Sequence, residues 1–150
     1  MVSKIELKSS AFSASEEIPE RYTCDGEDVN PPLEIGDLPK DTRSLVLVIE
    51  DPDAPNGVWD HWIVWNIDPV THIAEDSVPG TEGKNSFGKH HYGGPCPPSG
   101  SHRYFFKLFA LNDRLELDGN ADKEYVEAAM AEKILGRGEL MGIYSRKNKS

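Results

Sequence analysis

Apolar positions in this chain fall in short runs separated by turn residues. The clearest run is Ser44–Glu50, SLVLVIE. It is β-branched and nearly continuous, which predicts a strand buried on both faces. It stops at Asp51-Pro52-Asp53-Ala54-Pro55, where proline removes ladder donors and enforces a turn. Two further strands are predicted over His61–Ile67 and His102–Leu111, and weaker ones over Lys4–Lys8, Leu33–Ile35 and Leu140–Ser145. One segment reads as a helix, about Ala121–Leu135. Val126, Ala129, Met130 and Ile134 share a face there, Asn120 or Asp122 can cap its start, and Gly136 can end it. Helices do not alternate with strands, which argues against a doubly wound α/β fold. The expectation is a mostly β chain, an antiparallel β-sandwich with a short C-terminal helix, forming a single domain over residues 1–150.

Strand alternation then places side chains. His102, Tyr104, Phe106 and Leu108 fall on one face of their strand, with Arg103, Phe105 and Lys107 on the other. His61, Ile63, Trp65 and Ile67 are predicted to share a face of theirs. Each strand thus begins with a histidine above apolar residues. A single histidine at a strand end is most often a surface group. Two of them, each preceded by a proline-stiffened loop, point to a shared site. Asp51–Pro55 precedes the first, and Gly93-Gly94-Pro95-Cys96-Pro97-Pro98 precedes the second. Glycine permits close backbone approach to a ligand, and a carboxylate beside an imidazole fixes its tautomer. Asp51, His61, His102 and Tyr104, with backbone donors near Gly93 and Gly94, are therefore read as an anion pocket. Both loops hold several prolines, and at least one cis proline is expected in Asp51–Pro55 or Gly94–Pro98. Trp59, Trp62 and Trp65 read as core or pocket-wall aromatics. His72, His90 and His91, and acidic clusters such as Asp25–Asp28, read as exposed.

Composition narrows the functional classes. The formal net charge is −10. That sign opposes binding to nucleic acid and to anionic membrane surfaces. No apolar run is long enough to span a membrane, and MVSKIELKSS is not a signal peptide, so stable membrane insertion is not expected and the cytoplasm is. Asp51, Asp53, His61 and His102 can be read as a carboxylate–histidine metal site, but nothing in the sequence shows three ligands converging. There is no G-x-S-x-G elbow. The reading is a binding protein, not an enzyme, with no metal and no cofactor.

Four motifs carry a resemblance: Asp51–Pro55 (DPDAP), His61-Trp62 with its strand, Gly93–Tyr104 (GGPCPPSGSHRY) and Tyr22–Leu33 (YTCDGEDVNPPL). With Gly142–Arg146, they make the chain similar to the phosphatidylethanolamine-binding, or Raf-kinase-inhibitor-like, proteins, in their compact bacterial and archaeal branch. The resemblance implies a β-sandwich and a pocket for phosphate, phosphoethanolamine-like or carboxylate anions, with Asp51, His61, His102, Tyr104 and the backbone of Gly94 and Pro95 as its residues. Asp53 becomes a supporting group, and Arg103 its candidate ion-pair partner. The resemblance also implies a possible Cys24–Cys96 disulfide, set against free thiols. Some relatives inhibit a protease or kinase by surface contact, which leaves such a partner, and a homodimer, open here. The short DPDAP–His61 spacing and the compact C-terminus, ending in Arg146-Lys147-Asn148-Lys149, depart from the longer eukaryotic pattern.

Overall fold

The computed structural model describes residues 2–146, so Lys147, Asn148 and Lys149 of the basic C-terminus lie outside the described residues. The elements, in chain order, are strands β1 (Ser3–Lys4), β2 (Leu7–Lys8), β3 (Leu33–Ile35), β4 (Ser44–Asp51), β5 (Trp59–Ile67), β6 (His72–Ile73), β7 (Thr81–Glu82) and β8 (His102–Leu111), helix α1 (Lys123–Met130) and strand β9 (Ile134–Tyr144). The chain is mostly β with one helix. β1-β9-β8-β4-β5-β7 form one sheet and β2-β3-β6 a second. The larger sheet is mixed, because β1 runs parallel to β9. This corrects the all-antiparallel expectation.

All eight residues of β4 are buried, as its unbroken apolar run requires at the sheet centre. One face of the larger sheet meets the smaller sheet through Leu47, Ile49, Trp62, Phe106 and Leu108, packed with Leu7, Leu33 and Ile73. The opposite face, carrying Val46, Val48, Ile63 and Trp65, packs against Val126 and Met130 of α1. Burying each such large side chain contributes about 1.5–3 kcal/mol.

Two sequence expectations fail at the chain ends of elements. The segment Lys4–Lys8 is not one strand: β1 and β2 belong to different sheets, and Ile5–Glu6 crosses between them. The helix is shorter than Ala121–Leu135. Asp122 caps it, accepting from Tyr125 N at 3.3 Å. It ends at Met130, and Ile134, Leu135 and Gly136 belong to β9. Gly136 and Gly138 do not stop a helix; they let the β1–β2 segment lie against β9. A Cβ at Gly138 would stand 2.4 Å from Ile5 O. Among the described residues no helix is long and apolar enough to cross a membrane.

Candidate functional site

The face of the larger sheet that meets the smaller one ends in a cavity of about 220 Å³. Asp51, His61, His102 and Tyr104 line it, with Ala54, Pro55, Trp59, Phe87, Cys96 and Pro98 as its less polar wall. β4 delivers Asp51 by alternation from Leu47 and Ile49. β8 delivers His102 and Tyr104 by alternation from Phe106 and Leu108. Every second residue of β8, from His102 to Ala110, is buried.

His61 arrives differently. The β4–β5 register pairs Ile49 with Trp62 but Glu50 with Asp60, so His61 is the extra residue of a bulge. A bulge re-aims side chains. Here it sends His61 into the cavity beside Tyr104 and sends Asp60 to the α1 face. There Lys123 Nζ lies 2.8 Å from Asp60 Oδ1 and 3.4 Å from Glu50 Oε1. The predicted shared face of His61, Ile63, Trp65 and Ile67 is thereby corrected. Ile63 and Trp65 pack toward α1, and a second register shift, between the Leu45–Ile67 and Leu47–Val64 pairs, returns Ile67 to the other face.

The polar contacts fix both imidazoles. His102 Nδ1 donates to Asp51 Oδ2 at 2.6 Å, and both side chains are buried. Asp51 Oδ1 accepts from Asp53 N at 2.8 Å, which closes the DPDAP bend. His61 Nδ1 lies 2.7 Å from Gly93 O. A carbonyl only accepts, so Nδ1 carries the proton and Nε2 is the bare nitrogen of the neutral ring. Burial pushes the His61 pKa down, and the Gly93 carbonyl and the Asp51 charge oppose that only partly. His61 is therefore neutral at neutral pH. Tyr104 Oη is buried without a hydrogen-bond partner. Asp51 and the Cys96 backbone lie near it without normal bonding geometry. Burial, then the Asp51 charge, push its pKa well above the usual phenol range.

Arg103 turns away from the cavity and grips Asp53 twice, Nε to Oδ2 at 2.9 Å and Nη2 to Oδ1 at 2.8 Å. This holds the Asp53 carboxyl down at about 2, the Arg103 bonds outweighing desolvation. Asp53 is half-exposed rather than buried.

Gly94 and Pro95 do not offer the cavity the backbone donors expected of them. Gly94 N donates to Asp28 Oδ1 at 2.7 Å. Pro95 has no N–H, and its carbonyl accepts from Cys24 N at 3.1 Å. Both dock their loop onto the Tyr22–Asp28 segment. A Cβ on Gly94 would stand 2.3 Å from Tyr22 O, so glycine is required there by closeness of packing. Cys24 and Cys96 form a disulfide across the same junction, with Cα atoms 5.4 Å apart. Every peptide bond among the described residues is trans, which corrects the cis-proline expectation. The Asp51–Asp53 bond closes the first turn with trans prolines, the isomer favoured by about 0.5–1 kcal/mol.

Sequence reasoning missed two residues. Phe87 meets His61 edge-on at 5.3 Å and Trp59 at 5.4 Å between ring centroids, forming an exposed aromatic rim. Asn85 is 5% exposed and uses its whole amide. Nδ2 donates to His61 O and His91 O, and Oδ1 accepts from Phe87 N and Lys89 N. An Asn before Ser-Phe-Gly signals a turn, but nothing in the sequence says which strand that turn grips.

A larger open groove of about 1090 Å³ lies between Lys4–Ala14 and the α1 side of β8 and β9. Tyr104 Oη, the buried hydroxyl without a hydrogen-bond partner, does not belong to its lining. Among the described residues no three His, Cys, Asp or Glu side chains converge closely enough to hold a metal.

Residues 8–145 match the family model described as phosphatidylethanolamine-binding protein. A UPF0098 protein of Methanothermobacter thermautotrophicus is 45% identical over 150 residues, covering 95% of this chain and 99% of that protein. The crystal structure of a phosphatidylethanolamine-binding protein homologue of Chlamydia trachomatis, CT736, superposes with a TM-score of 0.93 at 39% identity, covering 97% of this chain and 99% of that one. That of YbcL of E. coli, described as a member of the mammalian family, gives 0.88 at 28% identity, covering 97% and 100%. With the matched residues spanning nearly all of both sheets and every side chain of the cavity, the chain belongs to the phosphatidylethanolamine-binding protein family.

Proposed function

We propose that the cavity binds a small oxyanion, a phosphate or phosphoethanolamine-like group or a carboxylate, as a ligand-binding or regulatory module without chemistry. One observation carries this reading: the Tyr104 hydroxyl is buried and unpartnered in a cavity that two imidazoles also line. A buried hydroxyl left alone costs about 1–3 kcal/mol, which a ligand oxygen recovers. The cytoplasm remains the proposed compartment.

The tautomers set how such a ligand binds. Both Nδ1 atoms are committed, so in neutral rings Nε2 accepts and cannot hold an anion. An anion binds together with a proton that at least one imidazole takes up from solvent, which turns Nε2 into a charged donor. Binding therefore takes up protons and strengthens as pH falls toward the histidine range. Sulfate isolates this effect, because it does not titrate there. Calorimetry in buffers of different ionisation enthalpy is expected to show uptake of about one proton per sulfate. Sulfate binding without proton uptake would refute the donor role of the imidazoles.

Tyr104→Phe separates binding from stability. Removing an unpartnered hydroxyl is expected to raise the stability of the free protein by about 1 kcal/mol and to weaken phosphate about tenfold. Urea midpoints and calorimetric titration measure the two. A loss of stability would mean that the hydroxyl is already satisfied in the free protein.

A further inference from the structure

We propose that the Cys24–Cys96 disulfide is a redox latch on the cavity: a dithiol reductant releases the wall formed by Cys96 and Pro98 and weakens anion binding. This regulation rests on the anion-binding reading above.

Cys96 lines the cavity, whereas Cys24 does not. Both cysteines are only half-buried, so the bond is within reach of an external thiol. The attachments of this loop are unevenly spread. On the N-terminal side of Cys96, Tyr92 Oη donates to Tyr22 O at 2.7 Å, Gly94 N to Asp28 Oδ1 at 2.7 Å, and Pro95 O accepts from Cys24 N at 3.1 Å. On its C-terminal side, Pro97–Ser101 make no hydrogen bond, ion pair or ring contact among the described residues, and Gly100 sits at a φ of 68°. Pro97 is buried and is held by packing alone; Pro98–Ser101 are exposed. The disulfide is thus the last covalent or hydrogen-bonded anchor before His102, and the wall residue Pro98 lies in the unanchored stretch.

The chemistry balances as thiol–disulfide exchange. The reductant's first thiolate attacks one sulfur and the Cys24–Cys96 bond breaks. Its second thiol then closes the reductant's own disulfide. Two electrons and two protons pass to the chain, which ends with two thiols. The hydrogen bonds N-terminal to Cys96 survive, so the fold persists while Cys96–Ser101 gains freedom. A loosened wall must be ordered again by each ligand, at a cost in affinity.

Inorganic phosphate, titrated by calorimetry into oxidised and dithiothreitol-reduced protein, tests the latch. Affinity is expected to fall at least about fivefold on reduction and to recover on reoxidation. Cys24→Ser, which leaves the cavity lining intact, is expected to hold the weak value with or without reductant. If that variant does not fold, the reduced parent carries the test. Backbone NMR order parameters at Cys96, Ser99, Gly100 and Ser101 are expected to fall on reduction. Equal affinities in the two states, or unchanged order parameters at these residues, would overturn the proposal. An oxidised protein that binds no phosphate counts against the anion reading instead, and the order parameters then decide the latch alone.

Discussion

In a His102→Ala variant, phosphate affinity is expected to fall about 10- to 100-fold, and the fold to lose about 3 kcal/mol. The first figure is one charge-assisted hydrogen bond, about 1.5–3 kcal/mol, removed from the bound state. The second comes from Asp51. Its carboxylate is 3% exposed and accepts a hydrogen bond from His102 at 2.6 Å. Leaving a buried charge without its partner costs about 3–5 kcal/mol. The low end applies, because Asp53 N still bonds the carboxylate. The two effects separate in the double variant His102→Ala/Asp51→Asn, which strands no charge and should regain stability but not affinity. His90→Ala serves as control, since His90 is exposed and lines no part of the cavity. Calorimetry and urea midpoints on the variants measure both quantities. Unchanged phosphate affinity in His102→Ala would remove this cavity from the function.

Asn85→Ala is expected to cost about 3–4 kcal/mol, as much as a large core truncation. Its amide is the common partner of four backbone groups, His61 O, His91 O, Phe87 N and Lys89 N. Alanine leaves all four without their side-chain partner in a largely closed setting, and each unpaired group costs about 1–3 kcal/mol. Gly93 N also reaches His61 O, so part of the loss is made good. Asn85→Asp is the sharper probe. It keeps the volume and the oxygen that accepts from Phe87 N and Lys89 N but turns two donor contacts into oxygen facing carbonyl oxygen. It should be at least as destabilising, and more so as pH rises through the carboxylate range. A urea midpoint within about 0.5 kcal/mol of the parent in either variant would show that the Ser86–Gly93 loop is held by other bonds.

Much of the frame could be read from the chain because burial is written in residue type. SLVLVIE can only be comfortable between two layers, and HRYFFKLFAL alternates, so β4 and β8 followed from local pattern. His102 and Tyr104 needed nothing more than that alternation, and Asp51 stood at the proline turn where the β4 run stops. His61 was named for the site, but by a face argument that the bulge overturns. Pairing register depends on the partner strand, which no local pattern contains. The end of α1 failed for a related reason: Ile134 continues a helical spacing, yet pairing with β8 and the approach of Ile5 to Gly138 outweigh it. Gly94 looked like a ligand donor because its neighbours are loop-forming, while its N–H is taken by Asp28, 66 positions away. Asn85 and Phe87 stayed silent because a hub residue in a loop has no periodicity to betray it.

The bulge at His61 has a consequence for how such a site can change. A strand has parity, and one extra residue switches it. Written without the bulge, the same letters would set His61 opposite Glu50, next to the Lys123 ammonium, and Asp60 opposite Asp51 at the cavity. Two carboxylates and His102 would then line the cavity, with the second imidazole gone. An anion site, as proposed above, would become one suited to cations without a single substitution. On that reading the ligand class depends on the register of this strand as well as on the identity of its residues.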